Sequence, residues 1–243
     1  MTTPHPPSQL PVTQAMSVDA FLKATTQRED RNDSFCLETP SMLELNMKSS
    51  KIFAKAGSMV ATMGPLNYSR EGMFEHGLAH FLKKFFTGEG ASLMKIEGSG
   101  RAYLADKARR IQLLNLNNQA VTVNGNDLLA FESSLQYSIK MVKRIGAMLS
   151  AGLFNVELRG QGVIALCSHG QPLTLKVNRG IPLYTDPGAT IAWSSNLQPD
   201  FSVHTNVTSV LLGRGSGESV RMKFEGEGWV IIQPYEETPV RTR

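Results

Sequence analysis

The sequence contains few of the residues that cross-link secreted domains or anchor a chain in a membrane. Only two cysteines occur among its 243 residues, too few for the disulfide framework of a small secreted domain. Cys36 and Cys167 lie in apolar stretches, so we expect two reduced core thiols, although a single disulfide between them stays open. No apolar run approaches the roughly 20 residues of a membrane-spanning helix. The proline-rich start lacks the layout of a signal peptide, and together these absences indicate a cytoplasmic protein.

Charge and histidine are also sparse. The charged fraction is 19% and the formal net charge is +4, with lysine and arginine spread along the chain rather than gathered in one patch. Nucleic acid is therefore not expected as a partner, whereas attraction to an anionic surface is allowed without being implied. The five histidines form no His-x-His pair, which argues against a cupin-type metal site.

Motifs of known chemistry are missing as well. His76 and His80 have helical spacing, but no His-Glu-x-x-His pattern accompanies them. The chain also lacks the Gly-x-Ser-x-Gly elbow of serine hydrolases and the Gly-x-Gly-x-x-Gly spacing of a dinucleotide-binding loop. The sequence therefore predicts no catalytic residue, no metal, no cofactor and no enzymatic activity.

Glycine and proline, by contrast, are plentiful, with 21 and 12 residues, and tight turns between short strands are the usual reason. Residues 1–34 form a proline-rich arm in which Ser17 is placed to cap a short helix. After this arm we predict one all-β domain over residues 35–236, followed by a tail at residues 237–243.

The predicted domain repeats one pattern three times. In each copy an alternating strand leads to a Gly-x-Gly, followed by an apolar strand, and we expect a hairpin turn or bulge at each glycine pair. A second landmark, an apolar stretch introduced by glycine, precedes each pair. The glycine pairs are Gly98 and Gly100, Gly160 and Gly162, and Gly226 and Gly228, and the preceding landmarks are Gly57–Ala61, Gly125–Ala130 and Gly188–Ala192.

The order of the landmarks divides the domain into copies at about residues 35–115, 116–180 and 181–236. A β unit of this size exposes sheet edges and an apolar face that it cannot bury alone. We therefore predict that the three copies cover one another around a pseudo-threefold axis.

Two insertions between the landmarks have basic, amphipathic patterns. Residues 71–86 show apolar side chains at helical spacing beside two lysines, and residues 135–149 show a shorter stripe of the same kind. Such helices could lie on an anionic membrane, or pack on their own domain or on a neighbouring subunit, which we favour. The candidate contact residues are Phe81, Lys83, Lys84, Phe85, Phe86, Lys140, Lys143 and Arg144.

Several separated motifs resemble the bacterial branch of the altered-inheritance-of-mitochondria (mitochondrial biogenesis) family. They are, in order, Ala54–Ala61, Leu82–Gly90, Val123–Phe131 and Gly213–Glu218, and the similarity covers roughly Phe35 to Glu236. The resemblance implies a fold like that of the tryptophan-RNA-binding attenuation protein (TRAP), a β-sandwich or double-stranded β-helix that often forms oligomers. It also implies no catalytic residues.

These patterns together lead to a functional expectation. We expect a non-enzymatic, self-associating scaffold or membrane-peripheral assembly protein, with itself as partner and a trimer as the expected state. An anionic membrane surface or another protein is the expected further partner. The alternative is a small-ligand or nucleic-acid binding module that uses grooves between copies or subunits.

Overall fold

A computed structural model describes residues 15–29, 32–70, 93–141, 154–205 and 218–236. Within these ranges the chain forms one helix and fifteen strands, which confirms the prediction of an all-β domain. The elements are α1 (Val18–Thr25), β1 (Phe35–Thr39), β2 (Met42–Lys55), β3 (Met59–Met63), β4 (Leu66–Arg70), β5 (Leu93–Leu104), β6 (Arg110–Asn124), β7 (Leu128–Glu132), β8 (Gln136–Met141), β9 (Phe154–Ser168), β10 (Leu173–Val177), β11 (Leu183–Thr185), β12 (Thr190–Ser194), β13 (Asp200–Thr205), β14 (Glu218–Phe224) and β15 (Gly228–Ile232).

The helix lies outside the core, in the predicted arm. Its N-terminus is capped by Ser17, whose hydroxyl accepts a hydrogen bond from the Ala20 amide at 3.2 Å, as the sequence predicts. None of the helix residues is buried, and Phe21 and Leu22 are exposed. The chain after α1 returns to the sheet, where Tyr103 donates a hydrogen bond to the Gln27 side chain at 2.8 Å.

Antiparallel pairing joins twelve strands into one sheet. Its main path runs β10-β15-β12-β6-β9-β7-β2-β5-β3, while β1, β4 and β8 pair with β2, β5 and β9 beside that path. The path divides into three triplets of the same layout, each containing a first strand, the later strand that pairs antiparallel with it, and a short strand. We call β2-β5-β3 the first triplet, β6-β9-β7 the second and β10-β15-β12 the third.

The third triplet is interrupted. In the first two triplets both long strands are continuous. In the last part of the chain the first long strand is divided into β10 and β11, and its partner strand is divided into β14 and β15. Strands β11, β14 and β13 form a separate three-stranded sheet in that order. Strand pairing therefore groups the chain differently from the predicted copy boundaries, since β6 runs through residues 115–116 and β10 pairs with β15.

The first glycine pair lies inside one strand, opposite a bulge in β2, rather than at a hairpin turn. Gly98 and Gly100 lie within β5 with φ of +127° and +152°. Opposite them, the pairing between β2 and β5 shifts register between Met47 and Ser50. A Cβ on Gly98 would lie 2.4 Å from the Pro65 carbonyl oxygen, so both the backbone conformation and the crossing chain require glycine there.

The same bend recurs in the other two copies. Gly160 and Gly162 lie within β9, opposite a register shift between Asn117 and Gln119 in β6. Gly226, with φ of +115°, lies between β14 and β15. The glycine pairs therefore occupy corresponding places, where each long strand changes direction and contributes to two parts of the sheet system.

Three apolar clusters form the core. The first contains residues of the first and second triplets, and the second contains mainly residues of the second and third triplets. The third cluster contains residues of the third triplet and the three-stranded sheet, with no residue of the first triplet among those described. Its buried members are Val177, Trp193, Leu197, Met222, Phe224 and Val230.

The prediction of a second helical insertion over residues 135–149 is wrong where the structure describes it. Residues Gln136–Met141 form β8, which pairs antiparallel with β9. The apolar residues Tyr137 and Ile139 alternate with polar ones, a strand period that outweighs the helical stripe. The Tyr137 ring lies 5.4 Å from the ring of Phe53, which fixes β8 on the core. Residues 142–153 and the first insertion, residues 71–92, lie outside the described ranges.

The cysteine prediction is confirmed. Cys36 and Cys167 are both buried, and no disulfide joins them; burial raises the pKa of the Cys167 thiol to about 12. The neutral thiol is therefore the form that the fold favours.

Substituting alanine at two corresponding glycines should separate backbone strain from steric overlap. Gly98→Ala and Gly160→Ala change residues with φ of +127° and +120°, so each should lose roughly 1–3 kcal/mol of unfolding free energy through strain. A Cβ on Gly160 has no described neighbour closer than 3.8 Å. Gly98→Ala should therefore cost about 1–3 kcal/mol more through overpacking. Urea unfolding would measure the difference, and equal losses would contradict the close approach of Pro65 to Gly98.

Candidate self-association edge

The short strand of each triplet begins after a turn of the same construction. Before β3, the Ser58 amide donates to the Lys55 carbonyl at 3.2 Å, and the Ala105 amide donates to the Ser58 carbonyl at 2.8 Å. Before β7, the Asp127 amide donates to the Asn124 carbonyl at 2.9 Å and the Cys167 amide donates to the Asp127 carbonyl at 2.8 Å. Before β12, the Ala189 amide donates to the Asp186 carbonyl at 3.2 Å and the Gln233 amide donates to the Ala189 carbonyl at 2.9 Å.

The three short strands also share one irregularity. The pairing of β3 with β5 shifts register between Met59 and Ala61. Strands β7 and β12 shift at the corresponding place, so that Leu129 and Ile191 match Val60. Ala61 therefore corresponds to Ala130 and Ala192 by register as well as by sequence.

The environment of the matched residues nevertheless differs sharply. Leu129 is 0% exposed and Ile191 is 1% exposed, whereas Val60 is 56% exposed. Leu129 packs in the first apolar cluster and Ile191 in the second, where β7 also pairs with β2 of the first triplet and β12 also pairs with β6 of the second. We call these two contacts the first and second junctions.

Strand β3 has no such junction in the part of the chain that the structure describes. It pairs with β5 alone and ends the path of the large sheet. All five of its residues are exposed, and Met59, Val60 and Met63 are among the large exposed apolar residues. The strand is therefore an open, apolar sheet edge.

Seven strands of the described ranges pair on one side only: β1, β3, β4, β8, β10, β11 and β13. Charged residues are a common device that keeps an open edge from pairing with another chain. Five of the seven strands contain one, and these are Glu38 in β1, Arg70 in β4, Lys140 in β8, Lys176 in β10 and Asp200 in β13. Strands β3 and β11 contain none. The chain therefore leaves two edges without this protection.

The second unprotected edge belongs to the three-stranded sheet. Strand β11 pairs with β14, and on its other side no strand of the described residues is paired with it. Tyr184, its central residue, and Ile181, just before it, are both exposed. The two uncharged edges belong to different sheets: β3 ends the large sheet in the first triplet, and β11 is an edge of the three-stranded sheet beside the third.

A buried ionic network fixes the first junction. Arg109, 2% exposed, donates to the carboxylate of Asp127, 1% exposed, at 2.7 Å, and also pairs with Asp106. Lys55, the last residue of β2, donates to Asp106 at 2.7 Å and to the Asn126 carbonyl at 2.8 Å. Since Asn126 and Asp127 form the turn before β7, the network ties the end of β2 to that turn.

The network holds its groups in their charged forms. Burial alone would raise the pKa of Asp106, but the hydrogen bond from Lys55 and the charge of Arg109 bring that pKa below its usual value. Burial likewise disfavours the charge of Arg109, yet Asp127 and Asp106 raise its pKa above the usual range. The charges compensate one another at the junction, so the arrangement is suited to holding strands together.

The second junction uses a neutral side chain in the place of Lys55. Asn124, the last residue of β6, donates to the Thr190 carbonyl at 3.3 Å and to the Pro187 carbonyl at 3.4 Å. Thr190 begins β12, and Pro187 lies just before that strand. At each junction, therefore, the residue ending a long strand donates to the backbone that introduces the next short strand.

The sequence-predicted contact residues lie mostly outside the described ranges, namely Phe81, Lys83, Lys84, Phe85, Phe86, Lys143 and Arg144. Lys140 is described: it lies on β8, is 51% exposed and pairs with Glu157. Glu157 also accepts from Arg159 at 3.2 Å. The predicted role of these residues at a membrane or partner stays a prediction.

Two further features bear on the sequence predictions. Within the described ranges no group of three or more His, Cys, Asp or Glu side chains is placed to hold a metal ion, and His76 and His80 lie outside those ranges. No helix of the described residues is long and apolar enough to cross a membrane.

Removing Arg109 should destabilise the fold far more than removing an exposed cation. Arg109→Met leaves the carboxylate of Asp127 buried without that cation, and the free energy of unfolding should fall by about 3–5 kcal/mol. Lys140→Met breaks an exposed pair and should cost less than about 1 kcal/mol. Urea unfolding of both variants would test this contrast, and similar losses would contradict a buried network.

Asp106 should contribute a pH-dependent part of the stability. Its pKa in the folded chain lies below 3.8, so its ionisation stabilises the fold above that pH and the contribution is lost as pH falls through the lowered pKa. Asp106→Asn should therefore be less stable than the unaltered chain at neutral pH, with the gap narrowing below about pH 4. Unfolding measured across this range would show it, and a constant gap would be the contrary result.

Comparison with known proteins places the chain in a family. The profile of the family described as mitochondrial biogenesis AIM24 matches residues 36–235. Among solved structures, the crystal structure of SPYM3_0169 from Streptococcus pyogenes is similar with a TM-score of 0.62, covering 83% of this chain and 92% of that chain at 21% identity. Such identity shows similarity of fold alone, and no curated protein matches. Because the profile spans most of the chain, this protein belongs to the AIM24 mitochondrial biogenesis family.

Proposed function

We propose that this protein is a non-enzymatic scaffold that assembles with further copies of itself through the open edge β3. The observation that supports this most directly is the contrast at one repeated position. Val60 is 56% exposed, while Leu129 and Ile191, at the same place in the other triplets, are buried at strand junctions. This position is buried in the second and third triplets and exposed in the first, so we expect another molecule to cover it there.

The character of the edge supports the same proposal. Five consecutive uncharged residues of β3 are exposed, and their backbone offers hydrogen-bonding groups to an added strand. The register shift at Val60 is not an obstacle to pairing, because β7 and β12 pair on both sides with the same shift. Apolar side chains clustered at a pairing-competent edge are typical of an interaction site.

The triplets support the finer proposal that the domain consists of three diverged copies of a TRAP-like unit. A closed pseudo-threefold arrangement would need three junctions, and the described residues contain two. We therefore propose an open series of three units, with one uncovered edge at each end. The expected trimer then becomes one of the closed assemblies that such a chain could form, and its subunit number is a matter for measurement.

The polar groups support a structural role. The charged side chains of the first junction bind one another and a backbone carbonyl, rather than converging on a recess. A recess between β6 and β12, lined by Asn124, Trp193 and Met222, has a volume of about 10 Å³, which suits one water molecule. The small-ligand alternative thus has no supporting observation in this recess. The cytoplasmic location and the membrane-peripheral role stay predictions.

A charge placed on β3 should prevent assembly, whereas the same charge on the opposite end strand should not. Val60 and Leu173 are matched positions, 56% and 58% exposed on end strands β3 and β10. Val60→Lys should raise the concentration for half-assembly by about tenfold or more, since tenfold is about 1.4 kcal/mol and burying an unpaired ammonium costs more. Leu173→Lys should leave it unchanged.

Light scattering over a dilution series would measure both variants, with circular dichroism confirming that each remains folded. The unaltered chain should form a defined oligomer. A strictly monomeric protein at all concentrations would overturn the proposed function, as would an assembly that Val60→Lys does not weaken.

A further inference from the structure

We propose that the strand that covers β3 is β11 of a second copy of this chain, so that chains join head to tail in a fixed register. The inference rests on the proposed self-association and adds its partner surface. It follows from the pairing at the two internal junctions, which show what this chain places beside a strand of the β3 type.

At each internal junction the short strand meets the same segment of the preceding triplet. In the first, Phe131 and Ala130 of β7 pair with Phe53 and Ala54 of β2. In the second, Trp193 and Ala192 of β12 pair with Thr122 and Val123 of β6. Since Ala61 corresponds to Ala130 and Ala192, its partner should be the residue that corresponds to Ala54 and Val123.

The residue is identified by the pairing between the first strand of each triplet and its antiparallel partner strand. Ala54 pairs with Met94, and Val123 pairs with Val156. Met94 and Val156 each lie four residues before the first glycine of a pair, at Gly98 and Gly160. The residue in this place before Gly226 is Met222, and Met222 pairs with Thr185 of β11.

The third junction therefore has a defined register. It places Ala61 opposite Thr185, Thr62 opposite Tyr184 and Met63 opposite Leu183. These strands are the two uncharged edges of the described residues, and each pairs on one side only. One chain provides β3 and another provides β11, because the two strands are not paired with each other within one chain.

The side chains at this register match those of the internal junctions. The middle pair of the first junction brings the rings of Phe53 and Phe131 to 5.2 Å, and the middle pair of the second joins Thr122 and Trp193. The proposed middle pair, Thr62 and Tyr184, also joins an aromatic residue to a residue that suits a strand. Tyr184, now 49% exposed, would be covered.

Head-to-tail pairing has a consequence for symmetry. A two-fold pairing of β3 with another β3 would leave β11 open in both chains, whereas β3 with β11 covers one edge of each kind at every contact. Such heterologous contacts give a ring if the rotation between chains closes, and a filament if it does not. The subunit number follows from the rotation and is not set by the register.

Cysteine cross-linking between two variant chains tests the register. Thr62→Cys and Tyr184→Cys are prepared separately and oxidised alone and as a mixture, with Cys36 and Cys167 both buried and out of reach. Directly opposed positions of an antiparallel pair are close enough for a disulfide. We expect a cross-linked dimer in the mixture and none with either variant alone.

A matched control uses the other end of the large sheet. Lys176→Cys places a thiol on exposed β10, and a mixture of this variant with Thr62→Cys should give no cross-linked dimer. A chain carrying both Thr62→Cys and Tyr184→Cys should give a ladder of linked chains on a denaturing gel. Adding Val60→Lys to that chain should abolish the ladder.

The outcomes separate the two proposals. If light scattering shows an oligomer but Thr62→Cys links to itself or to Lys176→Cys, self-association stands and the β11 register is overturned. A double variant that yields only a cross-linked single chain would show that β11 closes on β3 of its own chain, which also overturns the inference. A protein that never leaves the monomeric state removes the proposed function itself.

Discussion

The backbone groups along the side of a β-strand must find partners, and the way this chain covers them determines the rest of its structure. Each triplet ends in a short strand whose outer side needs a pairing partner from outside the triplet. The second and third triplets place that strand against the triplet before them, through β7 with β2 and β12 with β6. In the part of the chain that the structure describes, no triplet precedes the first one, and β3 keeps an exposed side there. An uncovered edge is therefore a property of a linear series of such units rather than a local irregularity.

The bend at each glycine pair makes these junctions possible. Because the β2–β5 pair is irregular beside Gly98 and Gly100 of β5, its two halves pair with different strands, β3 and β7. The first half joins its own short strand, and the second half receives the short strand of the next triplet. Glycine is required where another segment crosses close to the strand, as Pro65 does at Gly98. Without this irregularity, the second half of β2 would not be available to pair with the short strand of the next triplet.

Much of this arrangement is visible in the sequence, because local conformation leaves a local signal. The glycine pairs mark places where the backbone takes positive φ, and Ser17 marks the helix start. The assignment of residues 135–149 to a helix fails at β8 because Tyr137 and Ile139 fit both periods over so short a stretch. A helical stripe needs more turns than this segment has before it outweighs alternation.

The remaining features depend on which segments meet in space, which periodicity does not encode. Arg109 and Asp127 look like ordinary turn residues in the sequence, and their burial follows from the docking of β7 on β2. The exposure of Val60 could not be distinguished from the burial of Leu129, since both stand in the same pattern. A signal was nevertheless present: β3 and β11 contain no charged residue, unlike the other strands of the described ranges that pair on one side.

The polar connections weaken along the chain in the order of the junctions. Lys55 contributes a charged donor at the first and Asn124 a neutral donor at the second. Asp186 follows β11 in the corresponding place, and its carboxylate accepts from the Gly188 amide at 2.7 Å. This side chain acts as an acceptor there and is not a counterpart of the donors Lys55 and Asn124. A contact at β11 would therefore rest on strand pairing and apolar packing alone, which suits association that can be reversed.

The interruption of the third triplet also affects how the three-stranded sheet is oriented on the large sheet. The three-stranded sheet that contains β11 belongs to no ladder of the large sheet, and it meets that sheet through the third core cluster, where the Trp193 and Phe224 rings lie 5.6 Å apart. Side-chain packing, rather than a continuous ladder, sets the angle between them. The size of these few core residues would then determine how sharply a row of linked molecules curves.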